Sequence, residues 1–183
     1  LVAANCSNCH GAHDIRSSAD PASPLARPRV AATCGACHQG VQSAFREGTH
    51  GRRLAAGSPD VPSCNDCHSA HRICRPHEDP CRLEVVQGCG DCHRESLRSY
   101  RDTLHGQVTA LGYGMVARCA DCHDAHRVLP ASDPASPIAP ANLVATCRRC
   151  HPAANANFVL YAPHADPDDR ERNPWLYYAA RVM

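Results

Sequence analysis

Cys6-Ser7-Asn8-Cys9-His10-Gly11-Ala12-His13 sets two thiols three residues apart, a histidine directly after the second, and another histidine three residues further on. Its core, Cys-x-x-Cys-His, recurs as Cys34-Gly35-Ala36-Cys37-His38, Cys64-Asn65-Asp66-Cys67-His68, Cys89-Gly90-Asp91-Cys92-His93, Cys119-Ala120-Asp121-Cys122-His123 and Cys147-Arg148-Arg149-Cys150-His151. The six stretches use twelve of the 14 cysteines. Two thiols one helical turn apart reach the two vinyl groups of a haem, and the histidine that follows then lies under the iron as proximal ligand. The two residues between the cysteines read as a spacer that varies freely. A zinc ribbon and a thioredoxin-type redox pair also use Cys-x-x-Cys, but neither requires a histidine after it. At 13 histidines in 183 residues, finding one at all six places by chance is about a one-in-ten-million event, so haem attachment is the reading that survives.

Seven histidines lie outside the motifs: His13, His50, His71, His77, His105, His126 and His164. The only thioether donors are Met115 and Met183, and no lysine is present, so histidine is the expected sixth ligand of each iron. Three of the seven share one frame, CHGAH ending at His13, CHSAH at His71 and CHDAH at His126. A residue three after the proximal histidine is predicted to sit one helical turn on, on the same side of the porphyrin, so each should serve a neighbouring iron. His50 and His105 stand in similar settings, Phe45-Arg46-Glu47-Gly48-Thr49-His50-Gly51 and Tyr100-Arg101-Asp102-Thr103-Leu104-His105-Gly106, and His164 follows the last motif at a comparable distance. Together these six would complete bis-histidine coordination opposite His10, His38, His68, His93, His123 and His151. His77 is left over and reads as a non-ligand. It lies between Cys74 and Cys81, the two cysteines outside every motif, which an oxidising compartment would join as a disulfide closing a small loop.

Composition points the same way. Leu, Ile, Val and Phe make up 28 of 183 residues, below the roughly 20% under which chains tend to stay unfolded, while 19 basic and 18 acidic residues leave a net charge of only +1. A cofactor must therefore supply the apolar interior. Near-neutral charge gives no reason to expect nucleic acid. Arginine supplies all 19 basic residues. That is a compositional habit of the source genome on one reading; on the other it provides planar forks for carboxylates such as haem propionates. No run approaches the roughly 18 apolar residues needed to cross a bilayer. A start at Leu1 without Met reads as a processed or truncated protein rather than a cytosolic one.

The sequence repeats. First motifs begin at Cys6, Cys64 and Cys119, and second motifs at Cys34, Cys89 and Cys147. The expectation is a single hexahaem domain over 1–183 built from three di-haem copies, 1–60, 61–115 and 116–183, in an extended array. Ser18-Ala19-Asp20-Pro21-Ala22-Ser23-Pro24-Leu25-Ala26 in the first copy matches Ala131-Ser132-Asp133-Pro134-Ala135-Ser136-Pro137-Ile138-Ala139 in the third. The middle copy carries the Cys74 to Cys81 loop instead. With 15 prolines and 11 glycines, the fold class predicted is mostly coil with short α-helices and almost no β-structure. The helices are expected at the CxxCH turns, Val41 to Glu47 and Arg94 to Thr103.

CxxCHxxH, the Asp-Pro-Ala-Ser-Pro linker and Thr-Cys-x-x-Cys-His together resemble the doubled-CxxCH multihaem c-type cytochromes, a family of exported electron-transfer proteins that includes relatives of cytochrome c3 and of extracellular cytochrome filaments. The resemblance covers roughly Cys6 to His164. It implies closely spaced bis-histidine haems, with each CHxxH histidine serving a neighbour. Pro163-His164-Ala165-Asp166-Pro167 through Asn173-Pro174-Trp175-Leu176-Tyr177-Tyr178 also resembles the junction ahead of a membrane anchor in some anchored members, so anchoring beyond Met183 is one expectation.

Six c-type haems in 183 residues lie close enough for electrons to pass along them without large protein motion. The predicted function is thus an extracytoplasmic electron conduit, working in the periplasm, at the cell surface or outside the cell. Its partners would be other redox proteins or further copies of itself end to end, the latter as a nanowire. A multihaem reductase is the alternative from another class. It needs an open iron, whereas sixth ligands are plentiful here and no attachment motif is unusual.

Overall fold

The computed structural model describes residues 3–75 and 78–182, apart from the side chain of Asp79. Among them there is no β-strand, and the helices are mostly one or two turns long, as the proline and glycine content predicted. Two compact units emerge, one of residues 1–73 with 123–136, the other of 74–122 with 137–183.

The first unit holds α1 (Cys6–His10), α2 (Val30–Gly35), α3 (Gln39–Glu47), α4 (Thr49–Ala55) and α5 (Cys64–His68). Helix α2 packs against α1, α3 and α5, which brings the first three motifs together. The second unit holds α6 (Asp79–Cys92), α7 (Arg94–Arg101), α8 (Leu104–Ala110), α10 (Leu143–Arg148), a 3-10 turn (Phe158–Leu160) and α11 (Pro174–Val182). Helix α9 (Cys119–His123) gives its cysteines to the second unit and His123 to the first.

One packing device appears in both units. Helix α4 crosses the end of α3, and α8 crosses the end of α7. A Cβ on Gly51 would lie 2.1 Å from the Phe45 carbonyl oxygen, and one on Gly106 would lie 2.1 Å from that of Tyr100. Only glycine permits this approach, which is why each crossing reads His-Gly. The entry differs between the two. Thr103 caps α8, accepting from the Gly106 amide at 3.1 Å and donating to the Tyr100 carbonyl at 2.6 Å. Gly48 takes its place in the first unit and lets the strap at 126–128 lie against it, the Thr49 amide donating to the Val128 carbonyl at 2.8 Å.

The proline-rich linkers are ordered turns. Asp20 accepts from the Ala22 amide at 2.8 Å and Asp133 from the Ala135 amide at 2.9 Å, the local bond that suits Asp to turns. Ser23 and Ser136 are fully buried. Thr33 and Thr146, each directly ahead of a motif, donate to the carbonyls of Pro24 and Pro137 at 2.7 Å. Helix α6 is longer than the short elements expected. Asp-Pro reads as a turn, but Pro80 falls in the helix's first turn, where its missing N–H costs nothing. Cys74 and Cys81 are joined as a disulfide with Cα atoms 5.7 Å apart.

Side chains build little interior. The buried apolar set is mostly alanine and valine, and one small cluster, Val86, Leu97 and Tyr100, packs with Cys119 against it. Tyr100 donates to the Ala117 carbonyl at 2.9 Å and shares a hydrogen bond with Thr109 at 2.8 Å, fixing the chain that enters the fifth motif.

Candidate haem-binding site

Each first motif forms its own five-residue helix. The amide preceding it donates to the second spacer residue, Asn5 to Asn8 at 2.9 Å, Ser63 to Asp66 at 2.6 Å and Arg118 to Asp121 at 2.9 Å. The spacer is therefore not free to vary there. Its second position caps the helix that presents the thiols. In the second motifs the last residues wind on from a preceding helix, the His38 and His151 amides donating to the carbonyls of Cys34 and Cys147 at 3.0 and 2.9 Å.

The chain leaves each first motif differently from the expectation. The helix ends at the proximal histidine, and the next residue has positive φ: Gly11 at 78°, Ser69 at 59° and Asp124 at 70°. The third residue on is thus not one helical turn above the proximal histidine. The turn swings His13, His71 and His126 off the helix, and for His71 and His126 this kink, not helical stacking, directs them to other motifs. Glycine adopts such a φ readily; Ser69 and Asp124 adopt it under strain.

The ring pairs follow from this. His10 and His71 lie with ring centroids 6.0 Å apart and planes 8° from parallel. His68 and His126 are 6.0 Å apart at 27°, and His105 and His151 are 6.0 Å apart at 47°. Metal–nitrogen bonds of about 2.0 Å, with about 1.1 Å more to each ring centre, place two trans imidazoles about 6.2 Å apart. Each pair joins a motif histidine to a non-motif histidine from another copy, at the separation that two imidazoles on one iron would have. Burial, then the nearby imidazoles of His126 and His38, holds His68 below the usual imidazole range. Burial and His151 do the same for His105. Both favour the neutral ring, the form that ligates iron.

The remaining histidines are placed as follows. His164 Nδ1 hydrogen-bonds Ser99 Oγ at 3.0 Å. His50 lies on α4, His93 joins α6 to α7 and His123 ends α9. His13 and His38 are exposed. His77 and Met183 lie outside the described residues.

The thiols approach one another between motifs. Cys34 lies beside Cys64, and Cys89 beside Cys119. Burial, helped by the thiols of Cys64 and Cys9, pushes Cys34 up to about 11. Each contact joins the second motif of one copy to the first of the next. Sequence reading missed the arginines of α7. Arg94, Arg98 and Arg101, with Asp91 and Leu97, line a cleft of about 660 Å³ beside the fourth motif. Their spacing on one helix face was the available signal. Arg98 also pairs with Asp166 and, at 3.6 Å, with Asp168.

The donors fit covalent haem: paired thiols one turn apart, a histidine after them and, at three motifs, a second imidazole across a metal-sized gap. Bound haem supplies a one-electron iron couple whose potential the axial ligands and burial set. No helix among the described residues is long and apolar enough to cross a membrane. No curated protein and no solved structure matches the chain. The family model of cytochrome c7 and related cytochrome c matches residues 77–152, from the loop before the fourth motif through the sixth. Over that stretch, which holds three of the six motifs, the chain is similar to the multihaem c-type cytochromes, whose covalently bound haems transfer electrons.

Proposed function

We propose that the chain is an extracytoplasmic electron conduit carrying six c-type haems, one at each CxxCH, most of them bis-histidine ligated. The observation that carries this is the set of three imidazole pairs, each 6.0 Å apart and each linking two copies. Such sharing ties every paired iron to a second motif's backbone, and the Cys34–Cys64 and Cys89–Cys119 contacts bring consecutive attachment points together. Electrons would enter and leave through other redox proteins. Pyridine haemochrome quantitation with intact mass tests this: six haems per chain support it, and fewer overturn the count.

A second observation bears on where the conduit works. Helix α11 presents Trp175, Tyr178 and Val182 to solvent, an apolar face suited to the junction of an anchored cytochrome or to a further copy of the chain in a nanowire. Negative-stain images of native material separate the two, since filaments would exclude the head.

A further inference from the structure

We propose that Ser99 is a positioning residue for an axial ligand: its hydroxyl fixes the ring proton of His164 on Nδ1 and so leaves Nε2 to bind iron. This rests on the reading of His164 as a sixth ligand in the six-haem chain and adds the group that orients it.

Ser99 lies on α7 with its side chain buried, 5% exposed. Its one proton is committed. Oγ donates to the Ser96 carbonyl at 3.2 Å within the same helix, so it turns a lone pair to His164 Nδ1, 3.0 Å away. A hydroxyl whose proton is used elsewhere accepts, which puts the ring proton on Nδ1. A neutral imidazole carries only one proton, so the free lone pair is then on Nε2, at the other end of the ring. An iron-binding histidine commonly donates its second ring N–H to a polar group, which sets the tautomer and the ring orientation and makes the ligating nitrogen more basic.

The residue next to Ser99 holds the backbone that carries this ring. Arg98 pairs with Asp166 and, at 3.6 Å, with Asp168, and the Asp168 amide closes the turn on the Asp166 carboxylate at 2.9 Å. Residues 98 and 99 therefore grip the segment 164–168 at two points. The helix itself does not need the hydroxyl: six residues after the proximal histidine, where α7 has Ser99, α3 has Ala44. A more basic ligand favours ferric over ferrous iron, so Ser99 lowers the reduction potential of the haem that His164 serves.

The test uses the complete haem-loaded chain, with haems counted by pyridine haemochrome. His164→Ala identifies the haem by turning one iron high spin in the ferric electron paramagnetic resonance spectrum. Ser99→Ala should keep six low-spin haems and raise one reduction potential, so that at a fixed potential the oxidised-to-reduced ratio of that haem falls about tenfold; Ser99→Thr should restore it. A residue that only packs would lower the denaturation midpoint and leave all six potentials in place. In fully reduced protein labelled with nitrogen-15 histidine, the ring N–H resonance that His164→Ala removes should belong to Nδ1 and exchange slowly with solvent. If Ser99→Ala does not fold, this resonance decides alone. Unchanged potentials in Ser99→Ala, a ring proton on Nε2, or a His164→Ala protein with six low-spin irons each overturn the inference, and six haems per chain then leave the conduit reading standing. Fewer than six haems in the wild-type chain overturn that reading, and the inference falls with it unless His164→Ala still turns one iron high spin.

Discussion

Asp66 looks like filler between two cysteines, yet its carboxylate receives the Ser63 amide at 2.6 Å. Replacing it with Ala removes a helix cap and is expected to cost about 1 kcal/mol in a denaturant titration. Directly after His68, the backbone of Ser69 at φ 59° does what Gly11 does at 78°. Ser69→Gly should stabilise the protein by about 1 kcal/mol, because glycine adopts that φ without strain. If the mutant is less stable, the kink is not strained. The ring pairs give the sharpest prediction at this scale. His71→Ala should convert one iron from low to high spin and make it bind carbon monoxide, and peptide mapping of the haem at Cys6 and Cys9 should locate the change. The motif residues were legible because covalent chemistry dictates their spacing. The pairing was not, since it depends on a backbone kink that nothing in CHSAH or CHDAH announces.

At the level of elements, α3 and α7 were readable from their helical spacing, and the structure places them at Gln39–Glu47 and Arg94–Arg101. Helices α4 and α8 were not, because His-Gly reads as a break. The glycine instead marks the point where a second helix crosses the first at van der Waals contact. Gly106→Ala forces a methyl group against the Tyr100 carbonyl and is expected to destabilise by about 1–3 kcal/mol. Gly51→Ala should behave alike, whereas Gly40→Ala, with nothing within 4 Å of the new Cβ, should be neutral or slightly stabilising. Equal midpoints for all three variants in guanidinium melts would remove the crossing from the account.

For the whole molecule, side chains supply little interior. The chain exposes 12751 Å², against about 8,600 Å² for a compact chain of its mass, which is the surface excess expected of a chain that relies on a cofactor for its core. Expressed without haem attachment, the chain should lack cooperative unfolding and most far-UV helical signal. A haem-free protein with native circular dichroism would mean that the polypeptide folds unaided. The disulfide does not substitute for haem, since it closes a loop of only seven residues' separation and so restricts the unfolded chain modestly.

The sequence by itself determined the attachment chemistry, the shortage of side-chain core, the helical and coil character and the internal repetition, because each follows from residue type and spacing alone. It also supplied every histidine now found in a pair. Only the tertiary structure decided which imidazole meets which, that His38 and His13 meet none among the described residues, and that the spacer residue of each first motif is a cap. The cap is a local bond three residues long; the histidine placements have another physical reason. A ligand pair forms between residues roughly 45 to 60 positions apart in sequence, so its identity is fixed by where linkers, kinks and helix crossings carry the chain, and those act through backbone geometry rather than through any local pattern.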